Sequence, residues 1–266
     1  MFRDRLYRFL WRKLETAKDR WFKIRTVVLW FAYDKYVYSG MLCKSYGIRN
    51  IRFLNFRGWH NGSCTFVGER EGKKVFIKRS VFRKTIDSEV NNIETLNRKG
   101  SKKHFETCEI LGTIHSGRQH TVVESFIDGV SLSKALSKLS NEELSDIFLK
   151  LYDVLKFFNE TGFIHCDFTP GNVFLAQGKV FITDFEFSAF MNDSPRNQRL
   201  FSLSREKLKC LGGAYSLRNG MLDDSYSLMQ MINYHCPSFS ISHKDIWVSL
   251  NLNIGRLSVM PAAARK

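Results

Sequence analysis

The sequence has no paired cysteines, no apolar run long enough to cross a bilayer, no internal repeat and no low-complexity stretch. Its six cysteines, Cys43, Cys64, Cys108, Cys166, Cys210 and Cys236, are scattered, with no C-x-x-C and no histidines at metal-ligand spacing. That pattern reads as free thiols in a reducing cytosol and argues against a disulfide framework or a structural zinc site. The longest apolar run near the N-terminus, Val27–Tyr33, is seven residues and ends at Asp34-Lys35. A bilayer core needs roughly 20 residues, so no transmembrane span is expected. The first ten residues are charged and no apolar h-region follows, so no signal peptide is expected either. Acidic residues are in short supply: 26 Asp+Glu stand against 41 Lys+Arg, a net charge of +15. The imbalance is local. Residues 1–60 carry 14 Lys+Arg against 4 Asp+Glu, and residues 61–266 carry 27 against 22. A basic N-terminal segment favours a polyanion, either nucleic acid, an anionic membrane face or an acidic substrate. No nucleic-acid recognition motif accompanies it, so nucleic acid is not an expected partner.

At 266 residues the chain can hold one large domain or two modest lobes around a real core. Its 44% hydrophobic and 25% charged residues are ordinary for a soluble globular protein. The 23 Phe are not ordinary; they fit a Phe-rich core or a surface that meets lipid, and composition does not separate the two. Residues 1–45 read as a helical extension. On a helical wheel Phe2, Leu6, Phe9, Leu10 and Leu14 share one face, with Arg5, Arg8 and Arg12 opposite. Trp11, Trp21 and Trp30 add amphipathic anchors. Such a helix suits an interfacial membrane element; the alternative is a helix packed on the protein with a solvated basic back.

From about residue 51 the texture changes to short strands. Residues 51–55 and 63–68 flank the turn-rich stretch 56–62, and a strand over 74–79 follows the Glu71-Gly72 turn. Ile86, Val90, Ile93 and Leu96 mark one side of a helix over 85–98. Strands are expected at 108–115 and 120–127, helices at 131–138 and 141–160, short strands at 173–175 and 180–183, and a helix at 223–234. Strands first and helices later argue for an α+β chain of two lobes. The expected division is an extension over 1–45, a β-rich N-lobe with one helix over 46–126, and a mainly helical C-lobe over 127–266.

One stretch carries chemistry: His165-Cys166-Asp167-Phe168-Thr169-Pro170-Gly171-Asn172, then Val173-Phe174-Leu175, a Gln177-Gly178 turn, and Val180-Phe181-Ile182-Thr183-Asp184-Phe185-Glu186. Singly, Asp167 could cap a turn, Asn172 end a loop and Asp184 close a strand. Together, H-x-D-x-x-x-x-N, a β-hairpin and an Asp at a strand end resemble the catalytic and metal-binding loops of protein-kinase-like enzymes. The resemblance covers about residues 51–235. It implies a two-lobed protein-kinase-like fold and a phosphotransferase that uses ATP and Mg²⁺. Asp167 would orient the acceptor hydroxyl and take its proton, while Asn172 and Asp184 would hold Mg²⁺. His165 would pack and hydrogen-bond within the loop. Lys78, in Val75-Phe76-Ile77-Lys78, would meet the α- and β-phosphates, and Glu89 would hold that lysine, with Glu94 on the exposed side of the same helix. The Glu124 carbonyl and the Phe126 N–H would meet the adenine edge, and Gly58 and Gly62 would lie in the phosphate-covering turn. Either Asp223 or Asp224 would support the catalytic loop from below; the sequence leaves the choice open.

The departures from the pattern bear on the acceptor. There is no G-x-G-x-x-G, no Ala-Pro-Glu segment, and Glu186 replaces the glycine after Asp-Phe. Phe76 stands where a small residue usually faces the adenine. Cys166 replaces the arginine through which protein kinases read activation-loop phosphorylation, and Thr169 replaces the lysine of serine/threonine kinases. These changes lead away from a regulated protein kinase. The resemblance is to the bacterial kinases of the lipopolysaccharide inner core, which phosphorylate heptose or Kdo. It implies an anionic glycolipid or sugar acceptor and a cytoplasmic protein held peripherally on the anionic inner membrane. An aminoglycoside- or choline-type kinase, or an atypical protein kinase, is the alternative, although a +15 protein is poorly matched to a polycation. A pseudokinase is disfavoured by the intact Lys78, Glu89, Asp167, Asn172 and Asp184.

Overall fold

The computed structural model describes residue 21 and residues 36–55, 63–80, 82–116, 119–191, 211–216, 222–256 and 258–259. The basic extension before residue 36, apart from Trp21, lies outside the described residues, as do Gly58 and Gly62. The chain is α+β and divides into two compact units, Met1–Arg83 with Ile110–Phe126, and Lys84–Glu109 with Ile127–Lys266. Residues 84–109, counted above with the N-lobe, thus group with the second unit. No helix among the described residues is long and apolar enough to cross a membrane.

The first unit is a five-stranded antiparallel sheet in the order β1-β2-β3-β5-β4. Its strands are β1 (Arg49–Asn55), β2 (Ser63–Arg70), β3 (Lys73–Ser80), β4 (Ile110–Ser116) and β5 (Gln119–Ser125). Glu71 and Gly72 both have positive φ, 52° and 73°, the pair of left-handed residues that a two-residue hairpin needs. Period-two alternation puts Cys64, Phe66, Val75, Ile77 and Val123 on one face, where they cluster with Tyr38 and Leu42. Helix α1 (Ser39–Tyr46) supplies Leu42, fully buried, and stops at Gly47 in the left-handed conformation. The Tyr46 hydroxyl donates to the Thr113 carbonyl at 2.6 Å. Gly112 makes room for that ring, because a Cβ there would come within 2.3 Å of Tyr46 Cε1. Tyr38 and α1, at the end of the stretch read as an extension, are therefore part of this core.

The second unit holds α2 (Arg83–Arg98), α3 (Leu132–Ala135), α4 (Asn141–Thr161), α5 (Asp224–His235), α6 (Phe239–Ser242) and α7 (Lys244–Asn253). Its strands are β6 (Val130–Ser131), β7 (Phe163–Ile164), β8 (Val173–Ala176), β9 (Lys179–Ile182), β10 (Ala189–Phe190), β11 (Leu222–Asp223) and β12 (Ser258–Val259). They form the small sheets β6-β8-β9, β7-β10 and β11-β12. Helix α4 starts on a capping box, with Glu143 N–H donating to Ser140 Oγ at 3.2 Å and Ser140 N–H to Glu143 Oε2 at 2.8 Å. Leu144, Ile147, Phe148, Leu151, Val154, Leu155 and Phe158 fall at three- and four-residue spacing and are all buried. Phe158 packs on Phe163 and Phe105 with ring centroids 4.9 and 5.5 Å apart, and on Phe168 of the H-x-D loop at 6.2 Å. A good share of the Phe excess is thus core. Truncating one such ring to alanine typically costs about 3–5 kcal/mol.

Candidate active site

The H-x-D segment is short loop between β7 and β8, and the β8–β9 hairpin brings the chain back to Asp184 just beyond β9. Gln177 and Gly178 close that hairpin with φ of 52° and 72°. His165 is fully buried, and burial lowers its pKa to about 4, so the ring is neutral. The Asp167 N–H donates to His165 Nδ1 at 3.3 Å, which leaves Nε2–H to donate to the Thr183 carbonyl at 3.0 Å. One tautomer satisfies both bonds, and the ring ties the loop to the strand end that carries Asp184.

The loop is held from below by Asp224. Its carboxylate accepts from His165 N–H at 2.6 Å and from Cys166 N–H at 3.1 Å. Asp223 does something else: it caps α5 by accepting from Tyr226 N–H at 2.9 Å, and it also accepts from Gly255 N–H at 2.7 Å. The choice the sequence left open therefore falls on Asp224. Burial raises its pKa to about 7 against the pull of the two N–H bonds. The grip coincides with a left-handed Cys166, φ 69°, in a conformation that a non-glycine residue adopts at a cost.

Asp167 is bonded from two sides. Asn172 Nδ2–H donates to its carbonyl at 2.8 Å and to Oδ2 at 3.0 Å. Gly212 N–H donates to Oδ1 at 2.6 Å. Burial, followed by the Asp184 charge, outweighs these bonds and raises the Asp167 pKa to about 6. Both donations by Asn172 use its amide nitrogen, which leaves the Oδ1 carbonyl as its ligand atom for a cation. Asp184, Glu89 and Glu186 bring carboxylate oxygens within 4.8 Å of one another. This is a hard-oxygen set of the kind that suits Mg²⁺. Glu89 is 2% exposed on α2 and Glu94 is exposed, as the helix pattern indicates.

Lys78 and Glu124 belong to the first unit. Lys78 pairs with Val122 and Phe76 with Glu124, so Phe76, Lys78 and Glu124 share the sheet face opposite the apolar cluster. Lys78 is 8% and Glu124 5% exposed. Phe126 follows β5, with Lys74 Nζ 5.5 Å from its ring.

Sequence reasoning missed several participants. Asn92, buried on α2, donates its amide to the Phe185 and Ser188 carbonyls, both at 3.0 Å, and so fixes the turn that carries Asp184 and Glu186. Ser188 Oγ donates to the His165 carbonyl at 3.1 Å. Gly212 and Tyr215 reach Asp167 and the space beside it from a distant part of the chain. Glu186 was visible only as a departure from the expected glycine. The partners of these residues lie 23 to 96 positions away, too far for a local pattern to mark them.

The family model of the protein kinase domain matches residues 61–205, which is more than half of the chain and takes in Lys78, Glu89, Glu124, Asp167, Asn172 and Asp184. The chain belongs to the protein kinase domain family and is an ATP-dependent phosphotransferase. No curated protein matches it in sequence.

Proposed function

We propose that this kinase phosphorylates a hydroxyl of a heptose or Kdo sugar in the lipopolysaccharide inner core, working as a peripheral protein on the cytoplasmic face of the inner membrane. The observation that carries the reading is Cys166. It stands where a regulated protein kinase keeps its arginine, is 3% exposed, and has its thiol pKa pushed well up by burial and then by Asp224 and Asp167. A neutral, buried thiol offers no counter-charge to an activation-loop phosphate, which favours a small-molecule acceptor. The +10 of residues 1–60 favours an anionic surface over a polycationic acceptor.

In this reading the acceptor hydroxyl lies against Asp167. As its oxygen bonds to the γ-phosphorus, the bond from that phosphorus to the β,γ-bridging oxygen breaks. The hydroxyl proton passes to the Asp167 carboxylate, and ADP leaves with the electron pair. Asp184 and Asn172, with Glu186 beside Asp184, are the residues that would hold Mg²⁺, which would supply counter-charge for the phosphate oxygens. Lys78 would serve the α- and β-phosphates, and the Glu124–Phe126 backbone the adenine. Asn92 and Asp224 do the positioning, one on the Asp184 turn and the other on the H-x-D loop.

The test is ATP turnover by the full-length protein with purified lipopolysaccharide core acceptors, run beside an aminoglycoside panel and a serine/threonine peptide library. Phosphate transfer to the core sugars is the expected outcome. Transfer to aminoglycosides or peptides with none to core sugars would overturn the reading in favour of a soluble small-molecule or atypical protein kinase.

A further inference from the structure

A cavity of about 310 Å³ opens beside Asp167, lined by Ser133, Thr169, Pro170, Gly171 and the turn 212–215. That volume sits at the low end of the roughly 300–1,000 Å³ typical of small-molecule sites and suits a single sugar unit. Among the described residues that line it, Asp167 carries the only charge. The remaining polar side chains are the hydroxyls of Ser133, Thr169 and Tyr215, groups that both donate and accept hydrogen bonds and so match a polyol.

The turn that closes this cavity is preformed. Gly212 has φ 72° and is seated on Asp167 Oδ1 through its N–H. A Cβ at Gly212 would meet Ser216 Cβ at 2.9 Å, and Gly213 is also left-handed, φ 51°. Tyr215 is fixed at both ends: its hydroxyl shares a 2.9 Å hydrogen bond with His235 Nε2, and its carbonyl accepts from Ser227 Oγ at 3.1 Å. Its ring leans edge-on against Tyr234, centroids 6.0 Å apart. A half-buried, anchored aromatic residue offers apolar surface to the C–H face of a sugar with little ordering cost.

We infer that the turn 212–215 is the acceptor wall of this kinase, that Tyr215 supplies the ring on which the acceptor sugar lies, and that the pocket selects an uncharged sugar, a heptose in preference to Kdo. The inference rests on the reading of Asp167 as the residue that faces the acceptor. Kdo carries a carboxylate. No cation among the described lining residues would pair with it, and the Asp167 charge would oppose it.

The experiment compares initial rates of the full-length enzyme on heptose-terminated and Kdo-terminated core acceptors, with aminoglycoside and peptide controls. The expected kcat/KM for the heptose acceptor exceeds that for Kdo by about tenfold or more, the scale of leaving one charge without a partner. Tyr215→Ala is expected to raise the acceptor KM about tenfold, with the KM for ATP within about twofold of wild type. Tyr215→Phe, which keeps the ring, is expected to restore most of the acceptor affinity. Ser133 is exposed on α3, and Ser133→Arg should shift the heptose-to-Kdo ratio at least tenfold towards Kdo. A wild-type preference for Kdo, or an acceptor KM unmoved in Tyr215→Ala, overturns the inference and leaves the sugar-kinase reading standing. If Tyr215→Ala does not fold, an unchanged ratio in Ser133→Arg overturns it instead. If neither sugar accepts phosphate, the acceptor reading fails and this inference fails with it.

Discussion

Asp167 ionises late for a carboxylate, at about 6, because burial and the Asp184 charge outweigh the bonds from Gly212 and Asn172. Its folded pKa lies above its unfolded value near 4, so the native state binds the proton more tightly. The stability this contributes is fully present below about pH 4 and is lost as pH rises through about 6. Above that, the ionised buried carboxylate is a net cost to the fold. Asp167→Asn removes that cost but sets an amide NH2 against either Gly212 N–H or Asn172 Nδ2–H, so it should still fold and melt near wild type at pH 7.5, while phosphoryl transfer drops by about two to four orders of magnitude. Thermal melts paired with single-turnover assays check both halves, and a large fall in Tm with transfer retained would contradict the assignment. A base also gives a pH profile: kcat/KM should fall on the acid side as Asp167 takes up its proton, and an acid limb unchanged in the residual activity of Asp167→Asn would remove Asp167 as the base. Cys166 makes a separate prediction. With a neutral thiol in the arginine position, phosphatase-treated enzyme should retain full activity, and a large loss would mean that another basic residue reads a phosphate.

The N-terminus of α5 shows how two adjacent carboxylates divide the work between them. Asp224→Ala leaves the buried N–H groups of His165 and Cys166 without their acceptor, at roughly 1–3 kcal/mol each, partly offset by relief of a carboxylate raised to about 7. Asp223→Ala removes a helix cap worth about 1 kcal/mol and the acceptor for Gly255. Activity should therefore fall more than tenfold in Asp224→Ala and stay within a few-fold in Asp223→Ala, measured with both proteins folded; equal losses would undo the division. The elements themselves were largely legible. Helix α4 announces itself by its capping box and spacing, β2 and β3 by alternation about Glu71-Gly72, and the H-x-D loop because its members sit within eight residues of one another. Asn92 and Gly212 were not legible, because their bonds to Phe185 and Asp167 span 93 and 45 positions. Asp223 and Asp224 carry the same side chain, and only the fold shows which of them the loop sits on.

At the scale of the molecule, the N-terminal stretch bears on both the core and the charge. Tyr38 and Leu42 are buried in the first unit, so residues from about 36 onward are needed to complete that core and cannot be removed without cost. Residues 1–25 are different in composition: they carry 9 Lys+Arg against 3 Asp+Glu, and Phe2, Leu6, Phe9, Leu10 and Leu14 recur at helical spacing. Each basic residue near an anionic leaflet is worth on the order of 1 kcal/mol, and apolar burial adds to it. Full-length protein is therefore expected to co-sediment with vesicles rich in phosphatidylglycerol, and less so as salt rises from low to physiological ionic strength, because screening weakens the Coulomb part. A truncation that begins at residue 26 keeps Tyr38 and Leu42, so it should fold, bind ATP and phosphorylate a soluble core saccharide while losing the vesicles. Thermal melts separate the outcomes. If the truncation melts far below the full-length protein, the segment packs on the kinase body. If full-length protein ignores anionic vesicles even at low salt, the peripheral-membrane proposal falls, and the acceptor must then be argued from the pocket beside Asp167 alone.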